Sequence, residues 1–170
     1  SASTLIIGNG NATGGNFQGV IADGSSGVAL AKIGGGTITL SGANTYSGST
    51  AISAGTLALA SSGSFNNTAM IVISAGAALN VTGKSGQTLT LASGQTLTGG
   101  GSLTGNLNVP ANTTVLPGDA IGALTVSGNI TLGGTLLMEI DRNGAPKNDQ
   151  LISTGGSISG GGTLTVTNLG

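Results

Sequence analysis

Cysteine, histidine and tryptophan are absent from this sequence of 170 residues, which also has only four basic and five acidic side chains. Without cysteine there is neither a disulfide framework nor a thiolate metal site, although secreted bacterial proteins often lack the residue and its absence is neutral about compartment. Charged residues make up 5% of the chain, against an average of roughly 25%, so no stretch can neutralise several phosphates. The three aromatics, Phe17, Tyr46 and Phe65, are too scattered to form a base-stacking platform. No nucleic-acid partner is expected. Apolar runs such as Leu5–Ile7 and Met70–Ile73 fall far below the roughly 18 residues of a membrane-spanning helix. The chain opens with neither a charged n-region nor an apolar h-region, so any secretion signal is expected to have been removed or to lie outside it.

What is present in excess is glycine, 34 of 170 residues or 20%, where roughly 7% is usual. Collagen would need it at every third position, and Ser1–Ile7 and Ala111–Leu116 contain none. Leu, Ile, Val and Phe together number 42 of 170, about 25%, above the roughly 20% below which disorder is expected, and the net charge is only −1. The chain is therefore expected to fold.

Aliphatic residues alternate with Thr, Ser and Asn from end to end: Thr37–Leu40, Thr56–Leu59, Thr88–Leu91, Leu124–Val126, Ile130–Leu132 and Thr163–Val166. A period of two over four residues predicts short strands buried on one side. Between them lie glycine clusters, among them Gly34–Gly36, Gly42, Gly63, Gly99–Gly101, Gly133–Gly134, Gly155–Gly156 and Gly160–Gly162, read as corners that need positive φ. No window carries helical periodicity with caps, so essentially no α-helix is expected. A sandwich or barrel and a parallel β-solenoid are both compatible with short strands. Sandwich cores need bulky anchors, however, whereas stacked rungs bury small residues against their own neighbours. Variants of one phrase, Gly-x-Leu-x-Leu, recur at Gly36, Gly55, Gly86 and Gly162. Rung starts near residues 36, 55, 77, 101, 122 and 134 predict about eight rungs of roughly 20 residues, a rod on the order of 40 Å long at about 4.8 Å per rung. Residues 1–170 are read as one all-β domain.

The segment Ala31–Leu59 reads AKIGGGTITLSGANTYSGSTAISAGTLAL. It resembles the autotransporter-associated β-strand repeat, or passenger-associated transport repeat, whose hallmark is a Gly-Thr-Leu-Thr-Leu-Ser-Gly-x-Asn-Thr-Tyr phrase followed by a Gly-Thr-Leu strand. Leu116–Val126, Leu136–Asp141, Asp149–Ile152 and Gly162–Val166 are similar to the C-terminal part of such passengers. The resemblance implies a right-handed parallel β-helix on the surface of a Gram-negative bacterium or outside the cell, and no enzymatic activity of its own. Nothing after Leu151 resembles the outer-membrane barrel that normally follows a passenger, and the Asn-Thr-Tyr phrase occurs once.

Candidate chemistry is sparse. Glu139 and Asp141 lie two apart on a predicted strand, with Arg142, Lys147 and Asp149 close by, a geometry in which a carboxylate pair is conceivable. A solvated excursion over Asp141–Asp149 explains the same residues, and no catalytic residue is assigned. Calcium-binding rolls repeat Gly-Gly-x-Gly-x-Asp, and the triple glycines here are followed by Thr or Ser; no metal or cofactor is expected. Asp119 reads as a turn residue, and Tyr46 as covering the flank of the core at a corner. Thr-x-Thr pairs start at 37, 88, 96, 163 and 165, with uneven gaps of 51, 8, 67 and 2 residues, which argues against a regular threonine array for ice. Neither terminus carries a recognisable cap. Leu5, Ile6 and Ile7 at one end, with Leu164, Val166 and Leu169 at the other, are therefore the expected end-to-end interface. The function expected is a rigid extracellular structural module that stacks head to tail into filaments. An adhesin or passenger stalk that binds glycans or host surfaces is the alternative, and a carbohydrate-active β-helix enzyme the third reading.

Overall fold

A computed structural model describes residues 3–118 and 120–170. Its strands are β1 (Ser3–Ile7), β2 (Gly15–Phe17), β3 (Val28–Lys32), β4 (Thr37–Leu40), β5 (Thr50–Ile52), β6 (Thr56–Ser61), β7 (Met70–Ile73), β8 (Ala78–Lys84), β9 (Thr88–Thr90) and β10 (Thr96–Gly99). They continue with β11 (Ser102–Thr104), β12 (Asn106–Val109), β13 (Thr114–Pro117), β14 (Ala123–Val126), β15 (Ile130–Leu132), β16 (Thr135–Ile140), β17 (Gln150–Ser153), β18 (Ile158–Gly160) and β19 (Thr163–Asn168). The helical content among the described residues is two 3₁₀ turns, Asn9–Asn11 and Ser85–Gln87. Every predicted strand is present.

The strands wind into a parallel β-solenoid. The first face is an eight-stranded sheet in the order β1-β3-β5-β7-β10-β13-β16-β19, the second a seven-stranded sheet from β2 to β17, and the third a four-stranded sheet of β9, β12, β15 and β18. All named strand pairs are parallel. The coil makes seven turns and begins an eighth with β19. Each of the first three turns carries a loop on its third side, and only from β9 onward does that side become a sheet.

Alternation within each strand sends one set of side chains inward, and parallel register stacks that set on its equivalents. On the first face one inward column runs Leu5, Leu30, Thr50, Ile71, Leu97, Val115, Leu136, Leu164. On the second it runs Ile38, Leu57, Leu79, Leu103, Val126, and on the third Leu89, Leu107, Ile130, Ile158. Leu57, Ile71, Leu79, Leu97, Leu107, Val115 and Ile130 are wholly buried. Full burial of one such side chain stabilises the fold by about 1.5–3 kcal/mol. A narrow core therefore suffices without aromatic bulk.

The column on the first face gives the true rung lengths. Its members are separated by 25, 20, 21, 26, 18, 21 and 28 residues. The starts near 36, 55, 77, 101 and 122 fall just before second-face strands β4, β6, β8, β11 and β14, but 134 precedes β16 on the first face. The next second-face strand is delayed to β17 by the excursion that follows β16.

The glycine reading needs correction. Gly34, Gly55, Gly99 and Gly160 do hold positive φ, but Gly36, Gly42, Gly63, Gly134 and Gly162 do not. In that second group a Cβ would overlap a carbonyl oxygen of the adjoining turn: Ala12 for Gly36, Gly19 for Gly42, Leu40 for Gly63, Pro110 for Gly134 and Gly134 for Gly162. Stacked corners bring backbones too close for a side chain, so most of these glycines make room and few supply an unusual dihedral. Gly36→Ala is expected to lose about 1–3 kcal/mol of stability. Gly161→Ala, where a Cβ meets nothing within 4 Å, should change it by no more than about 0.5 kcal/mol. Chemical denaturation of the two variants against the parent chain checks the contrast.

Candidate functional site

The chemistry-bearing side chains fall into three places: the corners, the excursion after β16, and the two end faces. At the corners the polar residues are structural fasteners. Asn44 is 3% exposed and links three successive turns. Its Oδ1 accepts the Ile21 N–H at 2.8 Å from the turn before, and its Nδ2 donates to Gly42 O at 3.1 Å and to Ser64 O at 3.0 Å in the turn after. Gln95 repeats the device further along: Oε1 accepts Ala92 N–H at 2.8 Å, and Nε2 donates to Phe65 O at 3.0 Å and Thr68 O at 2.7 Å. Buried backbone groups that a corner takes out of the ladder are thereby paired.

Tyr46 lies inside the core, fully buried, beyond the flanking position read from the sequence. Its hydroxyl shares a 2.6 Å hydrogen bond with Thr50 Oγ1, which satisfies the one hydroxyl in the inward column of the first face. Burial pushes the Tyr46 phenol up to about 12 from its ordinary 10.0, against a smaller opposing effect of the Thr50 bond.

Lys32 occupies a second inward column with Ile7, Ile52 and Ile73 and is fully buried. Its ammonium donates to Ile33 O at 2.9 Å, Gly34 O at 2.8 Å and Ala54 O at 3.0 Å, so one cation uses its three donors on the carbonyls of two stacked corners. Burial lowers its pKa. Asp23, on the loop of the first turn, accepts Val28 N–H at 2.7 Å and Ser47 N–H at 3.1 Å. Its carboxyl is held below the usual range by hydrogen bonding, first from the Ser47 side chain and then from the Val28 and Ser47 amides.

The excursion Asp141–Asp149 is present as expected. Ile140 and Asn148 form an antiparallel bridge, Asp141 N–H donates to Lys147 O at 2.8 Å, and Asp149 N–H to Glu139 O at 2.9 Å. Asp149 is 1% exposed. It spends both carboxylate oxygens on backbone, Oδ1 accepting Gly122 N–H at 2.8 Å and Oδ2 accepting Glu139 N–H at 2.7 Å. Asp141 accepts Asn143 N–H at 2.8 Å in a local turn. The Asp149 carboxylate thus fastens the excursion to the rod, and no group of three or more acidic residues placed to hold a metal ion occurs among the described residues. Asp119, read as a turn residue, lies outside the described residues.

At the end faces, β1 and β19 are the two edges of the first sheet. Leu5 and Ile6 are 40% and 59% exposed, Ile7 is half-buried, and Leu164, Val166 and Leu169 are 62%, 53% and 48% exposed. Leu5, Ile7, Leu164 and Val166 belong to inward columns, whereas Ile6 stacks on outward Ala31. The sequence reading missed Phe17 and Val20 at one end and Ile158 at the other, all exposed. Their signal was their neighbourhood in the coil, which rung lengths as uneven as these conceal. The same unevenness hid an outward threonine column, Thr96, Thr114, Thr135 and Thr163, on four successive turns of the first face. In the next outward column Leu116 pairs with Thr98 and Leu137 with Thr165, so no two-column threonine lattice forms.

The segment that holds the Asn44 and Tyr46 fasteners has a known counterpart: residues 30–59 match the family model of the passenger-associated transport repeat. The chain carries a passenger-associated transport repeat. It is also 32% identical over 154 residues to the adhesin BmaC autotransporter of Brucella suis biovar 1 (strain 1330), an alignment that covers 80% of this chain and 4% of that protein. The geometry explains the repeat residue by residue. Gly36 and Gly42 clear the turn before, Asn44 and Tyr46 fasten the corner, Gly48 passes against Val28 O, and Gly55 takes φ +62 ahead of the Gly-Thr-Leu strand.

Two measurements check this account. In a spectrophotometric titration the only tyrosine of the chain should ionise with a midpoint near 12 in the folded protein and near 10 after denaturation. Because the folded phenol holds its proton longer than the unfolded one, stability should fall as pH rises from about 10 to about 12, by roughly 2–3 kcal/mol in all. Lys32→Met keeps the apolar stem and removes the cation, leaving the carbonyls of Ile33, Gly34 and Ala54 without this donor. We expect a loss of about 1–3 kcal/mol, read from the denaturation midpoint.

Proposed function

We propose that this chain is a rigid, non-enzymatic rod segment of a surface passenger of a Gram-negative bacterium, displayed outside the cell. The passenger repeat and the similarity to an autotransporter adhesin support that reading, and so does the use of nearly every buried polar group as a corner fastener. The finer part of the proposal is end-to-end association. It rests on one observation: apolar inward columns are exposed on both edge strands of the first sheet, Leu5 on β1 and Leu164 with Val166 on β19. A second copy seated on such a face would continue the parallel ladder and bury both columns. The contact is heterologous and does not close, so it propagates into a filament.

A second reading, binding of glycans or host surfaces, is favoured by the outward polar column Thr90, Asn108, Thr131 and Ser159 on the third face. A saturable glycan interaction lost on replacing Asn108 and Thr131 by Ala would support it.

Sedimentation at two concentrations with electron microscopy tests the association. Fibres with an axial repeat of about 35–40 Å, seven to eight layers at about 4.8 Å, are expected, and Leu164→Asp should shorten or abolish them. Discrete monomers at every concentration would refute end-to-end stacking and leave the rod reading in place.

A further inference from the structure

The third sheet begins without a predecessor. In the third turn its side is occupied by the loop 62–68, and β9 in the fourth turn is the first strand, hence an edge. The ladder partner of β9 is β12, with Leu91 N–H donating to Asn108 O at 3.1 Å just beyond the strand. Successive residues of a parallel strand address opposite neighbours. Leu89 and Leu91 therefore serve β12, and the N–H and C=O of Thr90 face the other way. Among the described residues, no backbone hydrogen bond joins Thr88–Thr90 to the loop 62–68.

A cleft of about 290 Å³ separates the two. Its floor is apolar, formed by Leu59, Phe65, Leu89 and Leu91, each 5% exposed or less. A side chain crosses the gap at either end. Lys84 Nζ donates to Gly63 O at 2.5 Å, and Gln95 Nε2 reaches Phe65 O and Thr68 O. Lys84 is the charged residue of the lining. The edge is a plain Thr-Leu-Thr, without the charge or proline that blunts exposed edges in many proteins.

We propose that this cleft docks an extended polypeptide of a partner protein, which adds to β9 as a fifth strand of the third sheet. The match is chemical. A donor and an acceptor presented by Thr90 along an open strand edge are the complement of another backbone. The inward side chain of the added strand falls in column with Leu89, on an apolar floor, and an acidic residue beside it meets the Lys84 ammonium. The partner segment is thus a short β-forming stretch with an apolar residue next to a carboxylate. This goes beyond the rod reading, since it concerns a lateral site and needs neither end face.

The probe is an acetylated, amidated heptapeptide of alternating valine and threonine with one central glutamate, titrated into the full chain and followed by backbone amide NMR. Shifts confined to Ser64–Asn66, Lys84 and Thr88–Ala92 are expected, with slowed exchange of the Thr90 N–H. Thr90→Pro removes the outward donor and leaves the bonds of Leu89 and Leu91 to β12, so it should weaken binding about tenfold, the scale of one hydrogen bond. The same peptide N-methylated at alternate amides should not bind, which keeps the test decisive if the proline variant does not fold. Absence of shifts at millimolar peptide, or equal binding of the N-methylated peptide, overturns the proposal. Shifts of the same residues with chitotetraose and not with peptide also overturn it, and make the cleft a carbohydrate site.

Discussion

Everything in this molecule depends on parallel stacking of one turn's backbone on the next at strand spacing. Strands accept that spacing without difficulty, because their side chains stand perpendicular to the stacking direction. Corners do not, because the chain changes direction there and a side chain would point at the carbonyl of the neighbouring turn. Gly36, Gly42, Gly63, Gly134 and Gly162 are the consequence. A glycine content that suggests flexible linkers in other settings is here the condition for a tightly stacked rod.

Corners also take backbone groups out of the ladder, and a chain so poor in charge must pair them with what it has. Amides do much of this: Asn44 across three turns and Gln95 at the start of the third sheet. Where charged groups appear in the interior they are used the same way. The ammonium of Lys32 serves three carbonyls and the carboxylate of Asp149 two amides. Side chains committed to backbone in this manner hold stacked corners together.

The uneven rungs divide what could be read early from what could not. The phrase Gly-x-Leu-x-Leu marks strands on all three faces, Thr37–Leu40 on the second, Thr88–Thr90 on the third and Thr163–Asn168 on the first. A period of two encodes an inside and an outside, and is blind to which side of the coil a strand lies on. Hence the start at residue 134 reads in series with those at 101 and 122 although it opens a strand on another face. For the same reason the threonine column on four turns is not legible in the sequence, since its members are 18, 21 and 28 residues apart.

The sequence by itself determined the fold class, alternating strands such as Thr37–Leu40 and Thr56–Leu59 and, among the described residues, the lack of α-helix, because each follows from local alternation and from composition; the repeat over Ala31–Leu59 is legible through its resemblance to a known family. The sequence also marked Leu5, Ile7, Leu164 and Val166 as apolar residues of end strands. Only the tertiary structure decided that Tyr46 and Lys32 lie inside, that Asp149 is a fastener, that Phe17 and Ile158 share the end faces, and that β9 is an edge above a cleft. Those facts depend on which residues the coil brings together across 18 to 28 positions of chain. The lengths of irregular corners set that distance, and no local pattern encodes them.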